Sequence, residues 1–412
     1  MNLKTFLPGG TSPTGQPITL GVMGGGQLGR MFVQAAQAMG YATAVLDPDP
    51  ASPAGLISHH HIKTPYTDEA GLAQLAQRCD AITTEFENVP APALLTLAAQ
   101  RTVAPSAACV AVAQDRVKEK AHFVECASLS GVSPAPHAVI TTDASLAAVP
   151  ADLLPGILKT ARMGYDGKGQ ARVTTREELA AAWDAMDKVP CVLEKMLKLR
   201  AECSVIVARG ADGASVSFPV QKNTHHDGIL ALTEVFEGAL DPALAQRAQA
   251  STVAIANHLH YVGVLCVEYF VVENAEGVLD LVVNEMAPRP HNSGHYTQNA
   301  CDISQFEAQV RTLAGLPLPK PRQHSPAIMV NLLGDLWFEP HAARAQRSER
   351  PSPPPWAQLL ALPGTNLHLY GKLSARPGRK MGHLNITAPS VAQVRETTAK
   401  VLTLLGLPAL EA

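Results

Sequence analysis

Two Val-rich runs separated by a short polar turn constrain this chain more than any other stretch. Cys266-Val267-Glu268-Tyr269-Phe270-Val271-Val272 leads into a turn at Glu273–Gly277, and a second run follows from Leu279 to Ala287. Short apolar runs bounded by turn residues predict neighbouring strands. Each run carries a carboxylate, Glu268 or Glu285, at or near its end. On paired strands two such groups converge on one hard cation. Mg²⁺ is held in this way, by one or two protein carboxylates with phosphate oxygens and water completing the shell. The chain after Glu285 is dense in donors: Arg289, His291, Asn292, Ser293 and His295. Pro288 and Pro290 stiffen it and Gly294 lets it turn. A solvated hairpin would account for one such Glu, but the donor run directly after the second argues against that plainer reading.

Length and charge narrow the setting. A chain of 412 residues with 46% hydrophobic and 17% charged residues predicts two to three domains with sizeable cores. A net charge of −3 and a pI near 6.6 exclude a general nucleic-acid or membrane footprint. No apolar run reaches the ~18 residues of a spanning helix. Met1–Pro17 is polar and rich in Gly, Pro and Thr, and is expected to be a disordered leader without a signal core. Seven cysteines are scattered without a Cys-x-x-Cys, which predicts buried reduced thiols in a cytoplasmic protein and no disulfide framework or zinc site.

Near the start, the strand Ile18–Met23 is followed by Gly24-Gly25-Gly26-Gln27-Leu28-Gly29-Arg30 and a helical pattern that stops at Gly40. A second strand ends in Asp47. This βαβ opening suits an anion at a helix N-terminus, with Asp47 near the place that grips a ribose in dinucleotide folds. On its own the glycine fingerprint favours a phosphate or phosphosugar site over a particular cofactor. A further strand end carries Glu85 and Glu87, which face the crevice of an open α/β sheet and could accept ligand hydroxyls. His59-His60-His61 lacks acidic or Cys neighbours and is not read as a metal cluster.

A helix over Gln114–Leu129 opens the next domain, with Asp115, Arg116, Lys118 and Lys120 in its first turns. The strand Pro155–Lys159 precedes Gly164-Tyr165-Asp166-Gly167-Lys168-Gly169-Gln170. This glycine-rich loop is able to lie over phosphates but lacks P-loop spacing, and reads as a hairpin lid. Cys191–Leu197 is a strand ending in charge, and such a strand-to-hinge element either presents backbone groups to an adenine edge, with an acid on the ribose hydroxyls, or is simply an exposed strand end. Glu202 heads the strand Cys203–Ala208. A strand Ser217–Gln221 is expected before a polar turn Asn223–Gly228. Leu240–His260 and Gln305–Leu313 read as helices. Toward the C-terminus, Ser348–Pro355 is expected as an exposed loop. Short strands follow, with Gly371-Lys372 and then Arg376, Arg379, Lys380 and His383 on a Gly/Pro scaffold. In a mildly acidic chain such a cluster is a plausible phosphate clamp.

Gly26–Arg30, Gly164–Gln170, Asn284–His295, Tyr370–Lys372 and Arg376–His383, taken in order over roughly 18–400, resemble the ATP-grasp superfamily. Within it they resemble the family of 5-(carboxyamino)imidazole ribonucleotide synthases of purine (IMP) biosynthesis. The resemblance implies an α/β and α+β architecture: an ATP-grasp fold with a Rossmann-like pre-ATP-grasp domain and a small β-rich C-terminal domain. The expected boundaries are 18–113, 114–314 with a lid at about 135–200, and 315–412. It implies an enzyme, an ATP-dependent ligase that carboxylates 5-aminoimidazole ribonucleotide with bicarbonate through carboxyphosphate. It also implies ATP and Mg²⁺ as cofactors, and a homodimer. ATP would be met by Arg116, Lys159, Gly164, Tyr165, Asp166, Gly167, Lys168, Gly169, Gln170, Glu194, Lys195, Met196, Leu197, Glu202, His225, Asn284 and Glu285. Mg²⁺ would sit on Glu268 and Glu285. Substrate would meet Gln27, Leu28, Glu85, Tyr165, Arg289, His291, Asn292, Ser293, Lys372, Arg379 and Lys380. Lys159, Arg289 and Asp166 would serve the chemistry, with Asp166 or released phosphate taking the proton from the attacking amine. Another ATP-grasp ligase, such as formate-dependent glycinamide ribonucleotide transformylase or biotin carboxylase, is the nearest rival. A nicotinamide-dependent dehydrogenase would leave the lid and the Glu268/Glu285 pair unexplained, and those two features also weaken a non-catalytic binding role.

Overall fold

The computed structural model describes residues 4–13, 15–164, 169–274, 276–342 and 346–410, which form three sheets. The first is parallel throughout: β1 (Thr19–Met23), β2 (Ala42–Leu46), β3 (His60–Ile62), β4 (Ala81–Thr84) and β5 (Thr102–Val103), in the order β3-β2-β1-β4-β5. All five residues of β1 are buried, as expected of a parallel strand covered on both faces. The helix Gln27–Ala38 follows β1, so its N-terminus lies at the C-terminal ends of the strands, where such sheets hold ligands.

A four-stranded antiparallel sheet follows, of β6 (His137–Ile140), β7 (Gly156–Thr160), β8 (Gln170–Val173) and β9 (Cys191–Lys195), in the order β6-β9-β7-β8. β7 and β8 pair antiparallel, which makes Gly164–Gln170 the expected hairpin connection. Tyr165, Asp166, Gly167 and Lys168 lie outside the described residues.

The largest sheet contains β10 (Leu199–Arg209), β11 (Ser215–Ser217), β12 (Gln221–His226), β13 (Ile229–Val235), β14 (Gly263–Glu273), β15 (Leu279–Ala287), β16 (Ala327–Leu333), β17 (Thr365–Leu369) and β18 (Lys380–Thr387). Their order is β15-β14-β10-β12-β13-β16-β18-β17, with β11 on β10. The alternation of a strand buried on both faces is plain in β10. Val205 and Val207 pack with Phe123, Leu244 and Ile255 of the helices Arg116–Ser130 and Pro242–His258. Ile206 and Ala208 pack on the other side with Tyr296, Ile303 and Ala308. Because β16 pairs with β13, the C-terminal strands extend this sheet instead of closing a sheet of their own. The basic turn that precedes β18 is therefore fixed relative to the β14–β15 hairpin.

Four local expectations differ from the structure. Residues expected as a disordered leader are packed: Phe6 is buried among Leu20, Phe32 and Leu313, its N–H donates to the Ala314 carbonyl (2.9 Å), and Tyr41 Oη donates to its carbonyl (2.6 Å). One aromatic in a polar segment was enough to anchor it. The expected strand Ser217–Gln221 is broken around Pro219, between β11 and β12. The expected turn Asn223–Gly228 is mostly strand β12, with only Asp227 and Gly228 turning. Pro354 and Pro355 are buried, not exposed. Among the described residues no helix is long and apolar enough to cross a membrane.

Candidate active site

β14 and β15 pair antiparallel with Glu268 directly opposite Glu285. The register then shifts, so that Tyr269 faces Val283 and Asn284 is the extra residue of a bulge. Two carboxylates are thus brought to one place with an amide oxygen beside them. Asn284 Oδ1 is buried and has no hydrogen-bond partner among the described residues. Burial and the neighbouring Glu285 charge push the Glu268 carboxyl up to about 8, against the pull of His225. Burial opposes ionisation of Glu285 as well, but Arg116, Lys159 and Lys120 outweigh it and hold that carboxyl below its usual range.

Those cations come from one helix face and one strand. Asp115 caps the helix Arg116–Ser130, accepting from the N–H groups of Val117 (3.1 Å) and Lys118 (3.4 Å). Helical spacing then puts Arg116, Glu119 and Lys120 on the same side. Arg116 donates through both terminal nitrogens to Glu285 Oε2 at 3.4 Å. Lys120 is fully buried and bridges the Asn284 carbonyl (2.8 Å) and Glu194 Oε1 (3.2 Å). Lys159 holds the other oxygen of Glu194 at 3.1 Å, with Arg116 4.0 Å away. Burial should raise the Glu194 carboxyl, but Lys120, Lys159 and Arg116 bring it down to about 2. Glu119 accepts the Met286 N–H at 2.7 Å and so fixes the end of β15.

At the end of β9 Lys195 is half-buried, and just past it Met196 is exposed and Leu197 half-buried. His225, on β12 instead of in a turn, meets Glu202 on β10 at 2.9 Å. Burial works against its charge, but the hydrogen bond to Glu202 and the surrounding carboxylates hold it above the usual histidine range.

The donor run closes the other side. Arg289 grips Glu87 Oε2 through Nε (3.1 Å) and a terminal nitrogen (2.5 Å). His291 Nε2 lies 3.4 Å from Glu268 Oε1, and its Nδ1 is 3.0 Å from Ser293 Oγ, which accepts from Ser204 Oγ at 2.8 Å. Burial and the Arg289 charge keep His291 neutral. Both polar atoms of the buried Asn292 amide lack a hydrogen-bond partner among the described residues.

The glycine turn is largely satisfied from within. Gly26 N–H donates to Glu85 Oε1 (2.8 Å), Gly29 N–H to Oε2 (3.1 Å), and Gly25 N–H to Asp47 Oδ2 (2.7 Å). A Cβ at Gly24 or Gly26 would fall 2.8 Å or 2.7 Å from the Glu85 carboxylate, so those glycines make room for a side chain of the protein. Asp47 also accepts from Tyr66 Oη at 2.7 Å and is buried, which corrects its reading as a ribose grip. The amides of Gln27 and Leu28 belong to the first turn, where a helix has no internal acceptors. The Leu28 side chain, by contrast, is core, packed with Met31, Phe306 and Tyr370. Tyr370 brings the basic turn alongside. Gly371 lies against the Arg30 guanidinium, and Lys372 donates to the Lys380 carbonyl (2.5 Å). Burial and the charges of Arg379 and Lys380 lower Lys372 to about 8, with Glu85 pulling the other way. Arg379 donates to Ser374 O (2.8 Å) and Oγ (3.1 Å). Lys380 acts electrostatically on Glu268 and His291, so this turn and the hairpin face one cleft.

Sequence reasoning offered Glu87 only as a crevice carboxylate for ligand hydroxyls, named Lys120 only among the charges of its helix's first turns, and passed over Glu119. The i, i+3, i+4 spacing from Arg116 was the available signal for the last two. The pairing of Glu87 with Arg289 gave none, because the two are remote in sequence.

Comparison with known proteins agrees with this geometry. Residues 18–114 match the ribonucleotide synthetase preATP-grasp domain, 126–306 the ATP-grasp domain, and 327–397 the phosphoribosylaminoimidazole carboxylase C-terminal domain. The N5-carboxyaminoimidazole ribonucleotide synthase of Brucella melitensis is 41% identical over 374 residues, 90% of this chain and 96% of that one. An ADP complex of an N5-carboxyaminoimidazole ribonucleotide synthetase superposes with a TM-score of 0.84 at 35% identity, covering 98% of this chain and 99% of the other. The Aspergillus clavatus enzyme in complex with ADP and 5-aminoimidazole ribonucleotide gives 0.81 at 30% identity, covering 95% and 99%. With the carboxylate pair, its cations and all three domain types present in order, the chain belongs to the N5-carboxyaminoimidazole ribonucleotide synthase family of ATP-grasp ligases.

Proposed function

We propose that this chain carboxylates 5-aminoimidazole ribonucleotide with ATP and bicarbonate, giving the N-carboxylated ribonucleotide, ADP and phosphate. One observation carries the reading: a carboxylate pair, with Asn284 on the same strand as Glu285, is flanked by Arg116, Lys120 and Lys159 on one side and by Arg289, His291 and Asn292 on the other. The solved relatives named for ADP and 5-aminoimidazole ribonucleotide support the choice of substrates.

Glu268, Glu285 and Asn284 would hold Mg²⁺, since all three offer oxygen and the pair carries like charges that a cation would relieve. When bound, the ion neutralises charge on the ATP phosphates. Lys159 and Arg116 lie beside the pair, placed to steady the transferred phosphoryl group. Arg289 and neutral His291 would receive bicarbonate, whose oxygen attacks the γ-phosphorus as the bond to ADP breaks. The carboxyphosphate so formed splits to CO₂ and phosphate. The exocyclic amine then forms the new C–N bond and gives up a proton, to the released phosphate or to Asp166. The Gly164–Gln170 connection would shield the labile intermediate from water. Gln27 and Leu28 amides, Lys372, Arg379 and Lys380 would bind the ribonucleotide phosphate. Each Glu85 oxygen accepts one amide and keeps capacity for a ribose hydroxyl. A cytoplasmic homodimer belongs to the same reading, and sedimentation of the purified chain tests the dimer.

The test of function is phosphate release from ATP with and without bicarbonate and 5-aminoimidazole ribonucleotide. Release is expected only with both present. Equal release with glycinamide ribonucleotide and formate would assign the chain to the rival ligase.

A further inference from the structure

We propose that His122, Cys126 and His258 form a second metal site, a His₂Cys centre for Zn²⁺ that staples the helix Arg116–Ser130 to the helix Pro242–His258. His122 and Cys126 are one turn apart on the first helix and share a face. His258 stands in the last turn of the second. One ligand atom from each residue lies within 4.8 Å of the other two. The two histidine Nδ1 atoms face each other at 3.3 Å. Two nitrogens bound to a tetrahedral Zn²⁺ at about 2.05 Å each are separated by about 3.3 Å, so that edge is already at its bound length. Cys126 Sγ lies within 4.8 Å of a ring nitrogen of each histidine, so closing the triangle falls to the thiol. A hydrogen bond between the imidazoles would explain the edge but not the thiol that completes it.

The surroundings suit an open three-ligand centre. His122 and Cys126 are buried while His258 is exposed, so the fourth position faces solvent. Water, or the exposed carboxylate of Glu125, completes it. A thiolate and two imidazoles select Zn²⁺ over Mg²⁺, which takes oxygen ligands, so the two sites divide the metals between them. On binding, the S–H proton leaves to solvent as the S–Zn bond forms. The first helix also carries Arg116, Glu119 and Lys120, so the staple would hold the face that supplies the active-site cations. Scattered cysteines had argued against zinc, because the pattern lies in one helical turn plus a ligand from a distant helix.

The full-length, metal-stripped chain is titrated with Zn²⁺ against a chromogenic chelator, in millimolar Mg²⁺ to occupy the carboxylate pair. One equivalent should bind. His258→Ala, a change at an exposed position, and Cys126→Ser should each weaken binding by about tenfold or more. Co²⁺ in place of Zn²⁺ should show intense tetrahedral visible bands and a thiolate charge-transfer band that Cys126→Ser removes. Zn²⁺ should raise the Tm of the wild-type chain by about 2 °C or more and leave His258→Ala unmoved. Equal Zn²⁺ affinity in the wild type and His258→Ala, or a Co²⁺ spectrum without thiolate charge transfer, overturns the site.

Discussion

Glu194 and Glu268 are both buried carboxylates in one cleft, with side chains 4% and 14% exposed, yet their protons behave oppositely. Glu194 is held at about 2 and Glu268 is pushed to about 8. Burial raises both, so partners make the difference. Glu194 has Lys120 at 3.2 Å and Lys159 at 3.1 Å. Glu268 has another carboxylate across the strand pair and a neutral His291. The lesson is that a carboxylate already saturated with protein cations has no need of a metal ion, whereas an unsaturated carboxylate pair is a place for one. The same rule separates the glycine turn, where Glu85 and Asp47 already satisfy three amides, from the hairpin, where Asn284 Oδ1 and the Asn292 amide have no hydrogen-bond partner among the described residues.

The largest effect that sharpens this contrast is on stability. Glu194→Gln leaves buried Lys120 and Lys159 facing a neutral amide. Breaking a buried charge cluster on one side costs about 3–5 kcal/mol. Denaturant melts should show that loss, and a variant as stable as the wild type would mean the cluster is not saturated by Glu194.

Glu285→Gln should do the reverse, sparing stability and removing activity. Loss of one charged contact to the cation and phosphoryl group is expected to lower kcat on the order of 10²-fold or more. Near-normal turnover at saturating Mg²⁺ contradicts the assignment. Arg379→Ala should raise KM for the ribonucleotide roughly 10- to 150-fold, the equivalent of about 1.5–3 kcal/mol for one charge-assisted contact. KM for ATP should stay within about twofold, because the nucleotide draws its cations from Lys159 and Arg116. A parallel rise in both constants would place the basic turn at the nucleotide.

Much of this contrast could be read in the sequence. Two Val-rich runs with a Glu each predicted the strand pair, and the register bears it out. The βαβ opening predicted the parallel sheet, and Gly164–Gln170 the connection between β7 and β8. What stayed hidden were side-chain partners remote in sequence. Spacing shows that Gly24–Gly29 forms a turn, but not that Glu85 fills it. Phe6 docks on Leu313, and Arg289 on Glu87, through contacts that no local pattern encodes.

The smallest effect is the dependence of metal affinity on pH. With Glu268 raised to about 8, the metal-free pair carries a proton at neutral pH, and a cation must displace it. Affinity should therefore strengthen as pH rises toward about 8 and level off above it, by about tenfold per pH unit below that point.

The most direct measurement is Mn²⁺ binding, as a surrogate for Mg²⁺, followed by electron paramagnetic resonance at pH 7 and pH 8.5 in the wild-type chain and in Glu285→Gln. One site is expected in the wild type that tightens at the higher pH, and a much weaker site in the variant, where only the part of the pH dependence caused by burial of Glu268 remains. Equal affinity in the two chains, or binding in the wild type that ignores pH, would contradict the claim that the unsaturated Glu268/Glu285 pair is where the cation sits.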